Sequence, residues 1–328
     1  MTAATRDQTV AAAERWFIHH GLPYFVDSER EAVRRGVQPS RLGPVVAVVA
    51  VGALAVAVLL GVLTDDISVG VGTTMMMFGI GMGLYGVTTL RGWAILRWAV
   101  ARTFRSLGML FPLVTRALPL LLLFITFLFI NAEVWQVSST LDGGVMWVTV
   151  MLFAGIAVAF LLVRLPEELD KVDDEVEASR LVSVCKGTPM EEPARALAES
   201  GQHVHQDPSV RGFQKANLVL VLLIAQFVQV MLLSASVFLF FLVFGGVAMT
   251  DGVVESWIGA PPDPTGFPGV SVELVQVSVF LAAFSGLYFT VYAVTDELYR
   301  DQFFTTITRE LERAVGARTV YQALKAGG

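Results

Sequence analysis

The chain has 328 residues, a formal net charge of −6 and a mean hydropathy of +0.65. Hydrophobic residues make up 55% and charged residues 16%, with the apolar ones bunched into long runs, which excludes a pair of soluble domains and marks a membrane protein. A single cysteine, Cys185, excludes an internal disulfide framework and a cysteine-based zinc cluster.

In chain order, residues 8–20 read as a helix that Gly21 and Pro23 stop, within the aromatic stretch RWFIHHGLPYFV (15–26). His19 and His20 are consecutive, so on a helix they diverge by about 100° and cannot both face one ion. Trp16, Phe17, Leu22, Tyr24 and Phe25 instead offer apolar surface to the bilayer interface or a neighbouring helix. Ser28 and Glu31 form a capping-box pattern, opening a second short helix that ends near Gly36. This charged N-terminal stretch is unlike a short cleavable leader.

Six apolar segments follow, at 44–63, 69–90, 112–132, 145–164, 217–247 and 273–295. Each reaches the roughly 20 residues that a helix needs to cross a bilayer. The expected fold is therefore all-α and polytopic, with six transmembrane helices and cytoplasmic helical extensions. Its parts are N-terminal helices over 1–43, spans one to four over 44–164, an acidic helical loop over 165–216, spans five and six over 217–295 and a C-terminal helix over 296–328. Segments 1–43, 91–111, 165–216 and 296–328, with Arg116 and Arg164 at their edges, hold all 23 Lys and Arg. The other loops carry only acids: Asp65, Asp66, Glu133, Asp142, Asp251, Glu255 and Asp263. Basic residues stay on the cytoplasmic side, which puts both termini in the cytoplasm; the excess of Arg over Lys with abundant Ala, Val and Gly suggests a GC-rich bacterial genome and so a bacterial inner membrane.

Residues 91–111 combine Arg91, Arg97, Arg102 and Arg105 with Trp93, Trp98 and Phe104 and contain no acid, the pattern of a helix lying on an anionic inner leaflet. The seven acids between Glu167 and Glu177 read as a solvated face repelled by the same leaflet. Span five is overlong, so tilt or extension must absorb the excess. Residues 271–315 read as one helix of about 65 Å whose Phe304, Ile307, Leu311 and Val315 need a partner.

Motifs for chemistry are sparse. GMGLYG (81–86) matches a dinucleotide fingerprint, but inside an apolar span its N–H groups are already bonded; Gly72, Gly79, Gly83 and Gly86 share one face and read as a close-packing stripe. His203 and His205 lack a third nearby nitrogen or sulfur ligand and read as part of a solvated turn. No metal, cofactor or nucleic acid is expected, and no catalytic residue is assigned. No charged residue sits mid-span, which disfavours proton-coupled transport.

One polar pattern stands out. Ser271, Ser278, Ser285, Tyr292 and Tyr299 recur every seven residues, with Tyr288 and Asp296 beside them. In span five, Gln226, Gln229 and Ser236 share one sector. The stripe reads either as helix–helix glue or as a polar path. Two functions follow: a passive channel or permease-like oligomer using spans five and six, placed first, and a non-conducting scaffold or regulatory subunit, docking partners through the cytoplasmic helices and the loop WIGAPPDPTGFPG. Its expected partners are the anionic inner leaflet and either further copies of itself or another protein of a membrane complex.

The stretches ERWF…GLPYFV, RALPLLLLFITFLFINAEVWQV and DELYRDQFFTTITRELERAVGARTVYQAL resemble uncharacterised actinobacterial integral membrane proteins over most of the chain. The resemblance implies a multi-pass topology and carries no activity.

Overall fold

The computed structural model describes residues 3–65, 67–142, 144–175, 181–199, 211–295 and 297–326, with side chains except at 3–4, 68, 105–121, 167–175, 294 and 297–311. All secondary structure among them is helical apart from turns and one isolated bridge between Pro264 and Ser271. The order is α1 (Ala3–His19), a 3-10 turn (Pro23–Phe25), α2 (Asp27–Gly36), α3 (Pro39–Thr64), α4 (Ile67–Thr89), α5 (Gly92–Phe129), α6 (Ala132–Ser139) and α7 (Gly144–Glu175). Then come α8 (Leu181–Val184), α9 (Glu191–Glu199), α10 (Phe213–Ala248), α11 (Asp251–Ile258), α12 (Val272–Thr295) and α13 (Glu297–Ala326).

Five helices are long and apolar enough to cross a membrane: α3, α4, α7, α10 and α12. The end of α5 and the short α6, bent by 72° at residues 130–131, make a sixth candidate when taken as one span. The bend is stabilised locally, since Asn131 accepts from the Glu133 N–H and caps α6.

Several sequence expectations change here. The basic 91–111 stretch and span three form one 38-residue helix, α5, about 57 Å long if straight. Ser28 is not a cap: α2 starts one residue earlier, at Asp27, with Val26 preceding it and no side-chain cap bond. The glycine stripe does not pack evenly. A Cβ at Gly72 would lie 2.9 Å from the Gly144 Cα, whereas those at Gly79, Gly83 and Gly86 meet nothing within 4 Å among the described residues. The close contacts between α3 and α4 come from Gly70, against the Ala57 carbonyl, and from Gly81, against Val49. The sequence pattern located a small-residue face but not which of its members meets a helix. Of the long helix expected over 271–315, residues 272–295 and 297–315 are helical, Ser271 lies in the bridge with Pro264, and Asp296 is outside the described residues. Of its proposed apolar face, Val315 is buried at 2% exposure; the side chains of Phe304, Ile307 and Leu311 lie outside the description.

Two apolar cores lie at opposite ends of the bundle. One contains Phe17 and Phe25 with Ile95 and Ala99 of α5, Leu161 and Leu165 of α7, Leu218 to Ala225 of α10 and Ala314 to Tyr321 of α13. The other joins Phe129 and Trp135 to Phe241 of α10 and Leu274 to Leu281 of α12. Both termini share the first end, where Tyr321 donates to Glu14 at 2.7 Å and Lys325 to Asp27 at 2.7 Å. The excess length of span five is used there: the first turns of the 36-residue α10 are packed in the terminal core.

Candidate functional site

The polar stripe lies along the seam of α10 and α12 but does not behave as a unit. Ser271 caps α12, accepting from the Leu274 N–H at 3.1 Å. Ser285, fully buried, donates to the Leu281 carbonyl at 2.6 Å, and the exposed Ser236 donates to Leu232 at 2.8 Å. Such i−4 bonds close a hydroxyl on its own helix. Gln226 (3% exposed) and Ser278 (0%) are buried, and Gln229 is half-buried. Gln226 Nε2, Gln229 Oε1 and Ser278 Oγ have no hydrogen-bond partner among the described residues. Tyr288 is 40% exposed and stacks between Phe124 of α5 and Tyr292, at ring separations of 6.0 and 6.1 Å. The structure therefore brings Gln226, Gln229, Ser278 and Ser285 into the helix packing and leaves Ser236 and Tyr288 at its edge. Asp296 and the side chain of Tyr299 lie outside the described residues.

Helices α7, α10 and α12 enclose a cavity of about 240 Å³. Its wall is apolar apart from Ser234 and Thr290, and Thr290 donates to its own helix at the Gly286 carbonyl, 2.8 Å away. None of Gln226, Gln229, Ser278, Ser285 or Tyr292 lines it.

The basic aromatic segment divides by face. Gly92, Ile95, Ala99 and Thr103 are buried at helical spacing, and Trp93, Arg97 and Phe104 project from the other side, with Trp93 59% exposed. Arg91 ion-pairs with Glu29. Trp98, expected at the leaflet, instead packs on Gly21, and a Cβ there would sit 3.3 Å from that of Trp98. Gly21 adopts φ +73°, which lets the chain turn under the indole. Arg102 is half-buried, and the Arg105 side chain lies outside the description.

The aromatic stretch around the two histidines is a docking segment. Asn217, fully buried near the start of α10, accepts from the Tyr24 N–H at 2.9 Å and donates to the Gly21 carbonyl at 2.9 Å. The Tyr24 hydroxyl donates to the Leu90 carbonyl at 2.7 Å, and burial pushes its pKa up to about 12. Phe17 and Phe25 stack at 5.5 Å inside the terminal core. His20 stacks on Trp16, and its Nδ1 lies 2.8 Å from the Trp16 carbonyl. Among the described residues, no three His, Cys, Asp or Glu side chains are grouped to hold a metal; His203 and His205 lie outside them. The sequence reading missed Asn217. Its only local signal is an amide where an apolar span begins.

Apolar helices long enough to cross a bilayer, joined at both ends by packed cores, make this an all-α, multi-pass membrane protein. The chain matches no family model, no curated protein and no solved structure.

Proposed function

We propose that the protein is a non-conducting scaffold or regulatory subunit of the bacterial cytoplasmic membrane, with its termini and helical platform on the cytoplasmic side. One observation carries this reading. A continuous apolar core joins α1, α8, α9 and α13 to the ends of the membrane helices α7 and α10 and to the start of α5. Rocking α7, α10 and the start of α5 against one another, as alternating access would require of them, would tear that core apart. A rigid platform fixed to the spans suits docking, and its exposed charged faces on α2 and α9 are the surfaces it offers. The confinement of all Lys and Arg to the sequence segments 1–43, 91–116, 164–216 and 296–328 supports the cytoplasmic assignment. Trp93, Arg97 and Phe104 suit contact with an anionic inner leaflet.

A second reading, a passive channel or permease-like oligomer, is favoured by the buried, unpartnered polar atoms of Gln226, Gln229 and Ser278 along the α10–α12 seam. Such atoms are costly in a membrane helix unless something meets them. Flux in liposomes separates the two. The scaffold reading expects wild type to match protein-free vesicles under voltage, pH and osmotic gradients. Flux that Gln229→Leu or Tyr292→Phe alters would move the assignment to the channel.

A further inference from the structure

The cavity between α7, α10 and α12 has a shape that its volume alone does not convey. Its lining runs from Val150 to Leu161 on α7, from Phe227 to Phe238 on α10 and from Val279 to Thr290 on α12. Each stretch covers about 17 Å of helix. On every helix the lining residues recur at three- and four-residue intervals, so each presents one continuous face. The space arises because the middle layers of these faces are small: Ala154 and Ala157 on α7, Ser234 and Ala235 on α10, Ala283 and Gly286 on α12. At Gly286 a Cβ would lie 2.5 Å from the Ser234 Oγ, so α10 and α12 touch there and close the back of the slot. The side towards the bilayer carries Phe227 and Met231, 48% and 51% exposed.

We propose that this slot binds one hydrocarbon chain of a membrane lipid, lying lengthwise along the three helices. The wall chemistry selects for it. The apolar wall offers few of the polar partners a buried water needs, so water is a poor occupant. The Thr290 hydroxyl is already bonded to its own helix and makes no demand on a ligand. The shape selects as well. A second transmembrane helix, about 10 Å across with its side chains, is too wide for a slot of 240 Å³, whereas a flexible chain running parallel to the spans fits. The surrounding solvent is itself lipid tail, present at the rim without a search. This inference does not rest on the scaffold reading: a bound chain would brace α7 against α10 in a scaffold or a channel alike.

The test is photo-crosslinking in vesicles of phosphatidylethanolamine and phosphatidylglycerol doped with a phospholipid carrying a diazirine midway along one acyl chain. Adducts are expected on 150–161, 227–238 and 279–290 at several times the yield per exposed residue found on the lipid-facing side of α3. Ala154→Leu and Ala283→Leu, which fill the slot, should bring this yield down to the α3 level and leave the α3 adducts unchanged. Should either fail to fold, Ala235→Trp narrows the exposed rim and is expected to have the same effect. Slot labelling no higher than on α3, or labelling that persists in a folded filled variant, overturns the proposal. So does a Met231→Cys variant that forms a disulfide between two copies of the chain on oxidation and thereby loses the lipid adducts.

Discussion

Asn217 holds the backbone of Tyr24 as a neighbouring strand would, one amide accepting the Tyr24 N–H while donating to the Gly21 carbonyl three residues earlier. Both backbone groups are thereby satisfied in a place water does not reach. Asn217→Leu keeps the bulk and removes both bonds, leaving each backbone group to lose roughly 1–3 kcal/mol. The expected result is a clear fall in the apparent unfolding temperature in detergent, with faster proteolysis in residues 18–26. A variant as stable and as protease-resistant as wild type would show that the dock contributes nothing.

Cys185 is fully buried beside α13, and burial pushes its thiol pKa up to about 12. The thiolate is the reactive form, so the native cysteine should resist maleimide on either side of the membrane until the protein is denatured. It is therefore useless as a reporter of topology but an ideal silent background for one. Ala198→Cys, exposed on α9, should label only in inside-out vesicles, and Ser256→Cys, exposed on α11, only in intact cells. The opposite pattern inverts the membrane orientation.

Two glycines on the same face of α4 should respond differently to one methyl group. At Gly72 the new Cβ meets the backbone of Gly144, which cannot rotate away; at Gly83 it meets nothing among the described residues. Gly72→Ala should push α4 from α7 and lower stability by about 1–3 kcal/mol. Gly83→Ala is expected to be neutral or slightly stabilising through helix propensity. Equal effects at both sites, measured by thermal unfolding, would refute the packing assigned to α4.

Lys325 links the two termini, donating to Asp27 and to the Tyr321 hydroxyl. Burial opposes ionisation of Asp27, but its hydrogen bond to Lys325 and the charges of Lys325 and Arg30 outweigh that and lower its pKa; the bonds from Asp27 and Tyr321 raise that of Lys325. A lowered carboxylate pKa gives stability that is lost as pH falls through it, and a raised lysine pKa gives stability lost only as pH rises through it. The latch should thus be constant between about pH 5 and 9 and loosen on the acid side below about pH 4. Hydrogen exchange of α2 should follow that curve. Lys325→Met should speed exchange at neutral pH by a modest factor, since partly exposed pairs contribute under about 1 kcal/mol. An α2 whose exchange ignores both changes is held by the core alone.

The sequence by itself determined the membrane helices, the segregation of basic residues and the end of the first helix at Gly21. These depend on the length, polarity and backbone freedom of contiguous residues, so they can be read in one dimension. Spans one, two, four, five and six are legible this way. Tertiary structure alone decided which side of each helix meets which neighbour. Periodicity shows that Gly72 and Gly83 share a face without showing that only the first touches Gly144. It places Trp98 among arginines without revealing Gly21 beneath it. Asn217 and Tyr24 lie 193 positions apart, and the slot needs small residues from three helices in register. Helix rotation and pairing set these contacts, and they result from packing the whole bundle at once.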